Sequence, residues 1–149
     1  MNTESPYFWI HIVAAAIAYF SFTFAFIAGL LYLYQDWQLK HRRLTKGPSL
    51  ETIEKIMFRA LLVGLPVLTV ALVSGFIWLK WEFGTFWLWN SKVMASVFAW
   101  VVYTALFYFH YVSNIHGRKV VILCVFAFSL ILVIFLGMSL FEAQIRAYR

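Results

Sequence analysis

Four histidines are the residues of this sequence most able to do chemistry: His11, His41, His110 and His116. His41 lies in the basic run KHRR and His116 in HGRK, which is typical of solvated surface positions. His11 and His110 lie in strongly apolar sequence, where an ionisable side chain is costly to place in a membrane and is therefore a functional candidate. Neutral imidazole is a good ligand for haem iron, so either of these two histidines could be an axial ligand.

The composition indicates which elements must position these histidines. Of 149 residues, 64% are hydrophobic, 21% are aromatic and only 12% are charged, which excludes an ordinary water-soluble domain. Crossing about 30 Å of hydrocarbon takes about 20 apolar residues in a helix, and four runs satisfy this requirement. We therefore predict an all-α membrane protein, a single domain over 1–149, with transmembrane helices at about 7–34, 57–79, 93–112 and 120–141.

The distribution of basic residues predicts the orientation in the membrane, because Lys and Arg accumulate on the cytoplasmic side. We expect both termini and the segment 83–92 to face outward, in a multi-pass protein of a bacterial or organellar inner or plasma membrane. The net charge of +6 then reflects topology and attraction to anionic lipid, and we expect no nucleic-acid binding. Eight basic residues fall on the predicted inner side: Lys40, Arg42, Arg43, Lys46, Lys55, Arg59, Arg118 and Lys119. Four fall on the outer side: Lys80, Lys92, Arg146 and Arg149.

The predicted topology separates the two apolar histidines. His11 lies about one turn inside the outer end of the first helix, whereas His110 is eighteen residues beyond Lys92, or about 27 Å deeper at about 1.5 Å per residue. They should not ligate the same iron. A haem at His11 would need a second ligand at the outer end, where the fourth helix offers Met138, although methionine near a helix end is more often a packing residue.

The single cysteine, Cys124, lies in the fourth apolar run. A disulfide within the chain or a CxxC redox pair requires a second cysteine, so neither can form within these residues. We interpret Cys124 as a small buried packing residue.

The connection FGTFWLWNSK between the second and third apolar runs carries two tryptophans, Trp87 and Trp89. An aromatic belt at the lipid headgroups is one explanation. A belt, however, requires neither Gly84 nor the spacing G-x-x-W-x-W-x-x-K, which ends at Lys92. This pattern resembles the WGxxWxWDPK signature of the haem-handling family that includes the cytochrome c assembly proteins CcsA and CcmC and the HemX-like membrane proteins.

The resemblance covers nearly the whole chain, from PYFWIHIVAAAIAYF through LETIEKIMFRALLVGLPVLTVALVSG to FLGMSLFEAQIRAYR. It implies that Gly84, Trp87 and Trp89 form an external platform for haem b and that His11 is the first external ligand. His110 falls close to a position at which some members have an inner haem ligand. Indole rings suit an apolar macrocycle, and glycine permits a sharp turn.

Two features depart from the family pattern. Asn90 and Ser91 replace the aspartate and proline of the signature. Arg146 or a neighbour stands where the assembly proteins carry a second external histidine. The resemblance therefore implies a minimal four-helix form that binds haem weakly, pairs with a partner carrying the missing ligand, or has lost haem transfer.

Two classes of function follow. In the first, which the loop motif favours and we prefer, the chain presents haem at the outer, periplasmic face during cytochrome c-type biogenesis, with other membrane subunits and apocytochrome c as partners. In the second, favoured by the missing histidine, it is a structural or electron-transfer subunit of a respiratory or photosynthetic membrane complex and needs no haem. We do not expect an enzyme, because no carboxylate pair or nucleophile with a base is apparent at the outer face.

Overall fold

Four long helices make up the structure, a computed structural model that describes residues 5–42, 47–84 and 91–149. Each helix is long and apolar enough to cross a membrane. The predicted fold class, an all-α membrane protein with four transmembrane helices, is therefore confirmed. The helices are α1 (Pro6–Lys40), α2 (Leu50–Phe83), α3 (Ser91–Tyr111) and α4 (Arg118–Ala147).

α1 and α2 extend beyond the apolar spans predicted for them, toward the connection that joins them. Ion pairs between residues four apart support these polar extensions, since such residues are neighbours on a helix surface. Asp36 and Lys40 pair at 3.3 Å, and Glu51 and Lys55 pair at 3.0 Å. The length of an apolar run therefore indicates the membrane span, whereas the helix itself continues into polar sequence.

Local sequence accounts for the ends of the first two helices. Pro6 occupies the start of α1, where its missing N–H has no helical partner to lose. The Ser49 hydroxyl accepts the backbone N–H of Thr52 at 3.3 Å and caps α2. Gly84 ends α2 in the left-handed conformation, with φ 71°, and its N–H donates to the carbonyl of Lys80 at 2.9 Å.

The helices pack side by side in chain order, and α4 also packs against α1. Because successive helices run in opposite directions, the start of α1, the end of α2, the start of α3 and the end of α4 lie together. We call this the His11 end of the bundle and the opposite one the His110 end. Contacts at the His11 end include Phe8 with Trp78, at 5.4 Å between ring centroids, and the ion pair of Lys92 with Glu142 at 2.9 Å.

Small residues on α1 allow its neighbours to approach closely. Ala18 and Ala25 are almost completely buried. A Cβ added at Gly29 would lie 2.7 Å from Cγ2 of Val125 in α4, so α1 and α4 are in backbone-to-side-chain contact there. The same Cβ would lie 3.4 Å from Sδ of Met57 in α2, so Gly29 allows α1 to pack closely against both neighbours.

The most tightly packed part of the core lies toward the His110 end. Tyr103 of α3 stacks on Phe22 of α1 at 4.1 Å between ring centroids. Cys124 is 1% exposed, which confirms its interpretation as a buried packing residue. The largest fully buried side chains are Phe58, Met57, Val120, Val121 and Cys124.

Candidate functional site

His11 lies in the second turn of α1 and contacts α2. Its Nδ1 is 2.6 Å from the backbone carbonyl oxygen of Ala71. A carbonyl oxygen can only accept a hydrogen bond, so Nδ1 must carry the proton and donate it. In the neutral ring this leaves the lone pair on Nε2, which is the form of imidazole that binds a metal.

Gly75 provides the space in which the His11 ring lies. A Cβ at this position would be 2.8 Å from Nδ1 of His11 and 2.9 Å from its Cε1. The Ser74 hydroxyl, next to Gly75, donates within α2 to the carbonyls of Val70 at 2.7 Å and Ala71 at 3.1 Å. The backbone of α2 therefore positions the ring: the Ala71 carbonyl accepts its hydrogen bond, and Gly75, one turn later, has no side chain to obstruct it. We call Ala71, Gly75 and the His11 ring the His11 seat.

A shallow apolar groove with a volume of about 420 Å³ runs along α1 and α2 near the seat. Its lining includes Ile10 and Ala14, one residue before and three after His11, and Val70 beside Ala71, but not the seat residues themselves. The groove therefore offers an open apolar surface close to His11. The groove is lined by Trp9, Ile10, Val13, Ala14, Ile17, Val67 and Val70.

The predicted tryptophan platform begins at Gly84, at the His11 end. Gly84 has a positive φ, a conformation that favours glycine, and it ends α2 there. Trp87 and Trp89 lie outside the described residues, so the platform itself stays a prediction. Lys92, the last residue of the motif, forms an ion pair with Glu142 and so joins the start of α3 to the end of α4.

Met138, the candidate second ligand, lies half-buried in α4 toward the His11 end. The rings of Tyr19 and Phe135 are 6.2 Å apart, which shows the level at which α1 and α4 face each other. Toward the His11 end, His11 is eight residues from Tyr19 along α1, and Met138 is three residues from Phe135 along α4. At about 1.5 Å per residue, Met138 is about 7 Å further from this end of the bundle than His11 is.

His110, the candidate inner ligand, is buried in a cluster that joins three helices. Its ring stacks on Phe58 of α2 with centroids 3.6 Å apart, and its Nδ1 is 3.7 Å from Oε1 of Glu54. That distance is too long for a hydrogen bond. Within the described part of the chain, Nδ1 of His110 has no hydrogen-bond partner. The same Glu54 oxygen accepts the backbone N–H of Gly117, just before α4, at 3.1 Å.

Two members of this cluster had no assigned role in the sequence analysis. Glu54 lies among charged residues of the connection, but it is 8% exposed and shares a buried stripe with Met57, Phe58 and Leu61. The three-to-four-residue spacing of that stripe is a sequence signal that could have identified it. His116 is exposed, as expected, yet its ring lies 4.5 Å from that of His110.

The two apolar histidines therefore belong to separate sites. His110 stacks on Phe58, whereas His11 donates to Ala71, thirteen residues further along the same helix. At about 1.5 Å per residue these two contacts are about 20 Å apart.

Comparisons with known proteins agree with the family suggested by the loop motif. A sequence profile described as Cytochrome C assembly protein matches residues 2–145. The cytochrome c biogenesis protein CcsA of Thermosynechococcus vestitus is 31% identical over 111 residues, which are 74% of this chain and 34% of the relative. The CcsA of Microcystis aeruginosa is 29% identical over 98 residues, 66% of this chain and 30% of the relative.

A third relative, the CcsA of Synechocystis sp., is 27% identical over 110 residues, covering 74% of this chain and 32% of that protein. The chain thus spans about a third of the length of the curated relatives it matches. No solved structure gives a significant match to it. With four membrane-spanning helices and a profile match over nearly all its residues, the chain belongs to the cytochrome c assembly protein family.

Proposed function

We propose that this chain is a haem-handling membrane protein of cytochrome c-type biogenesis and that it presents haem at the outer, periplasmic face. Family membership and relatives named for cytochrome c biogenesis support the general role. The observation that carries the proposal is the His11 seat, because the hydrogen bond to the Ala71 carbonyl leaves Nε2 of His11 with its lone pair.

The residues present fit a haem group, here haem b. Nε2 of His11 would bind the iron, and the apolar groove near the seat would offer the macrocycle an apolar surface. Trp87 and Trp89 would form the platform beyond Gly84, as the family resemblance implies. When bound, haem would supply the iron porphyrin that a c-type cytochrome requires. Its transfer would involve apocytochrome c and other membrane subunits as partners.

The second axial ligand is a separate question at the His11 end. Met138 is a candidate, but its level in α4 differs from that of His11 by about 7 Å. We propose that a partner subunit can provide the ligand that the missing second histidine would have supplied. A haem held through His11 alone would be bound more weakly than one with two protein ligands.

The orientation follows from charge. Six described basic residues lie toward the His110 end: Lys40, Arg42, Lys55, Arg59, Arg118 and Lys119. By the positive-inside tendency that end faces the cytoplasm, and His11 faces outward. We keep His110 as a candidate inner haem ligand, although its ring is buried between Phe58 and Glu54.

The test is haem titration of the purified protein in lipid nanodiscs, followed by absorption spectroscopy in the oxidised and reduced states. We expect a Soret band and a reduced α band in the native protein. His11→Ala removes the proposed iron-binding atom and should abolish the signal of the outer haem. His41→Ala is the control, since it removes an exposed imidazole at the other end that is not a candidate ligand, and it should leave the signal intact. A His11→Ala protein that keeps its full haem content would refute the proposal.

A second candidate function has one observation in its favour. The hydrogen bond from His11 to Ala71 also fastens α1 to α2, which is what a structural subunit of a respiratory or photosynthetic complex would need. In that case the purified protein would take up no haem and would co-purify with an oxidoreductase. His11→Asn separates the two functions, because its amide nitrogen takes the place of Nδ1 and can still donate to the carbonyl, but the amide binds iron poorly.

A further inference from the structure

We infer that Gly75 is a positioning residue for His11: together with the Ala71 carbonyl, it holds the ring in the Nδ1–H tautomer and presents Nε2 as the iron-binding atom. This inference rests on the proposed haem function for its consequence, but the ring geometry can be tested without haem.

The backbone of α2 gives no other reason for glycine at this position. Gly75 lies inside the helix, and the described glycines with positive φ are Gly84 and Gly117. Glycine within a helix lowers its stability relative to alanine, so an interior glycine needs a packing reason. The His11 ring provides it, because Nδ1, Cε1 and Cγ of that ring are the three atoms nearest to a Cβ built on Gly75, at 2.8, 2.9 and 3.6 Å.

The close approach at Gly75 is also what brings Nδ1 to the carbonyl. Ala71 is four residues before Gly75, so its carbonyl emerges on the same face, one turn away. A methyl group at position 75 would overlap the ring and must displace it, since contacts under 3.0 Å are not tolerated between a Cβ and another heavy atom. Displacement of the ring would lengthen the 2.6 Å hydrogen bond, and the Nδ1–H and Nε2–H tautomers could then both be populated.

Fixing the tautomer has a chemical consequence for ligation. A hydrogen bond from the non-ligating nitrogen orients the ring and raises the basicity of the other nitrogen, and loss of such a partner typically weakens metal binding about 10- to 100-fold. In this chain the partner is a main-chain carbonyl, which substitution of the Ala71 side chain would leave in place. Gly75 is therefore the position through which a single substitution can disturb the seat without changing the ligand.

The chain offers a matched control on the same helix. A Cβ at Gly64 would lie 2.9 Å from Cε1 of Phe22, another ring of α1 packed against α2. Gly64→Ala and Gly75→Ala therefore add the same methyl group to the same interface and press on an aromatic ring at nearly the same distance. Only Gly75→Ala presses on a histidine, so a general effect on the contact of α1 with α2 would be common to both variants.

The experiment is first done on the haem-free full chain with ¹⁵N-labelled histidine. Long-range ¹H–¹⁵N correlation spectra distinguish an Nδ1–H ring from an Nε2–H ring, and the His11 signals are identified by their absence in His11→Ala. We expect Nδ1–H for His11 in the native chain and in Gly64→Ala, and a mixture of tautomers in Gly75→Ala. An Nε2–H ring in the native chain would overturn the inference, and this reading remains decisive even if Gly75→Ala does not fold.

Haem titration then tests the consequence. We expect Gly75→Ala to lower haem affinity by at least about 10-fold and Gly64→Ala to change it by less than about 2-fold. If the native chain binds haem through His11 but Gly75→Ala retains both its tautomer and its affinity, the inference fails and the proposed function stands. If no form of the chain binds haem, the proposed function fails, and the tautomers alone decide whether Gly75 positions His11.

Discussion

His11 and His110 are both histidines in apolar helices, yet the two ends of the bundle hold them in different ways. At the His11 end, one ring nitrogen donates to the Ala71 carbonyl at 2.6 Å and the ring lies over a glycine. At the His110 end, the ring stacks on Phe58 and its Nδ1 stands 3.7 Å from Glu54. The first arrangement fixes the proton on one nitrogen and leaves the other with a lone pair in the neutral ring, whereas in the second the ring is packed between Phe58 and Glu54.

The comparison shows that burial alone does not identify a functional histidine. The Ala71 carbonyl oxygen accepts a hydrogen bond from His11 at 2.6 Å, so in the neutral ring it dictates which nitrogen keeps a lone pair, whereas the Glu54 carboxylate lies 3.7 Å from Nδ1 of His110 and makes no such bond. Glu54 instead accepts the Gly117 N–H, so it connects α2 with the turn before α4. We therefore expect substitutions at the His110 end to act mainly on stability and those at the His11 end mainly on haem.

The largest expected effect is that of Phe58→Ala. Phe58 is 1% exposed and stacks on His110, so truncation leaves a cavity and should lower the free energy of unfolding by about 3–5 kcal/mol. Unfolding in mixed detergent micelles, followed by circular dichroism, would measure it. Phe20→Ala, at an apolar position that is 77% exposed, is the control and should cost much less. A loss at Phe58 no greater than at Phe20 would contradict a structural His110 end.

An intermediate effect is expected for Glu54→Ala. It leaves the Gly117 N–H without its acceptor in a part-buried setting, and an unsatisfied group of this kind costs about 1–3 kcal/mol. Glu51→Ala, one turn earlier on α2, removes a carboxylate whose pair with Lys55 is exposed and should cost about 0–1 kcal/mol. The same unfolding measurement compares the two. Equal losses would mean that Glu54 does not join the helices as its contacts indicate.

The smallest effect on stability is expected for His11→Asn. The asparagine amide nitrogen takes the place of Nδ1 and can still donate to the Ala71 carbonyl, so we expect the free energy of unfolding to change by less than about 1 kcal/mol. The haem signal should nevertheless be lost, because an amide replaces the imidazole. This separation of stability from haem content would sharpen the contrast with Phe58→Ala. Retention of haem by His11→Asn would remove that contrast.

The fold could be predicted from sequence because apolar runs of about 20 residues have few alternatives in a membrane. The helix ends were less predictable, since pairs such as Glu51 with Lys55 continue α2 into polar sequence. His11 was found as a candidate, but its partners Ala71 and Gly75 were not. Their proximity depends on how α1 and α2 are aligned, and no periodicity within one helix carries that alignment.

The His110 end also contains contacts that the sequence analysis did not predict. Glu54 lies among charged residues of the connection, and its hydrogen bond to the Gly117 N–H joins segments that are distant in the sequence. The offset between Met138 and His11 likewise became visible through the contact of Tyr19 with Phe135. Trp87 and Trp89, the most specific part of the family motif, lie outside the described residues, so their role stays a prediction.

The burial of Cys124 has a practical consequence for all of these variants. The only thiol of the chain is 1% exposed within the packed core, so a maleimide reagent should react with it only when α4 separates from the bundle. Its protection in the native chain would therefore serve as a built-in reporter of integrity for every variant. A cysteine introduced at exposed Tyr148, at the His11 end, or at exposed Ser113, at the His110 end, could also be labelled in sealed vesicles to show which end faces which side, without first replacing Cys124.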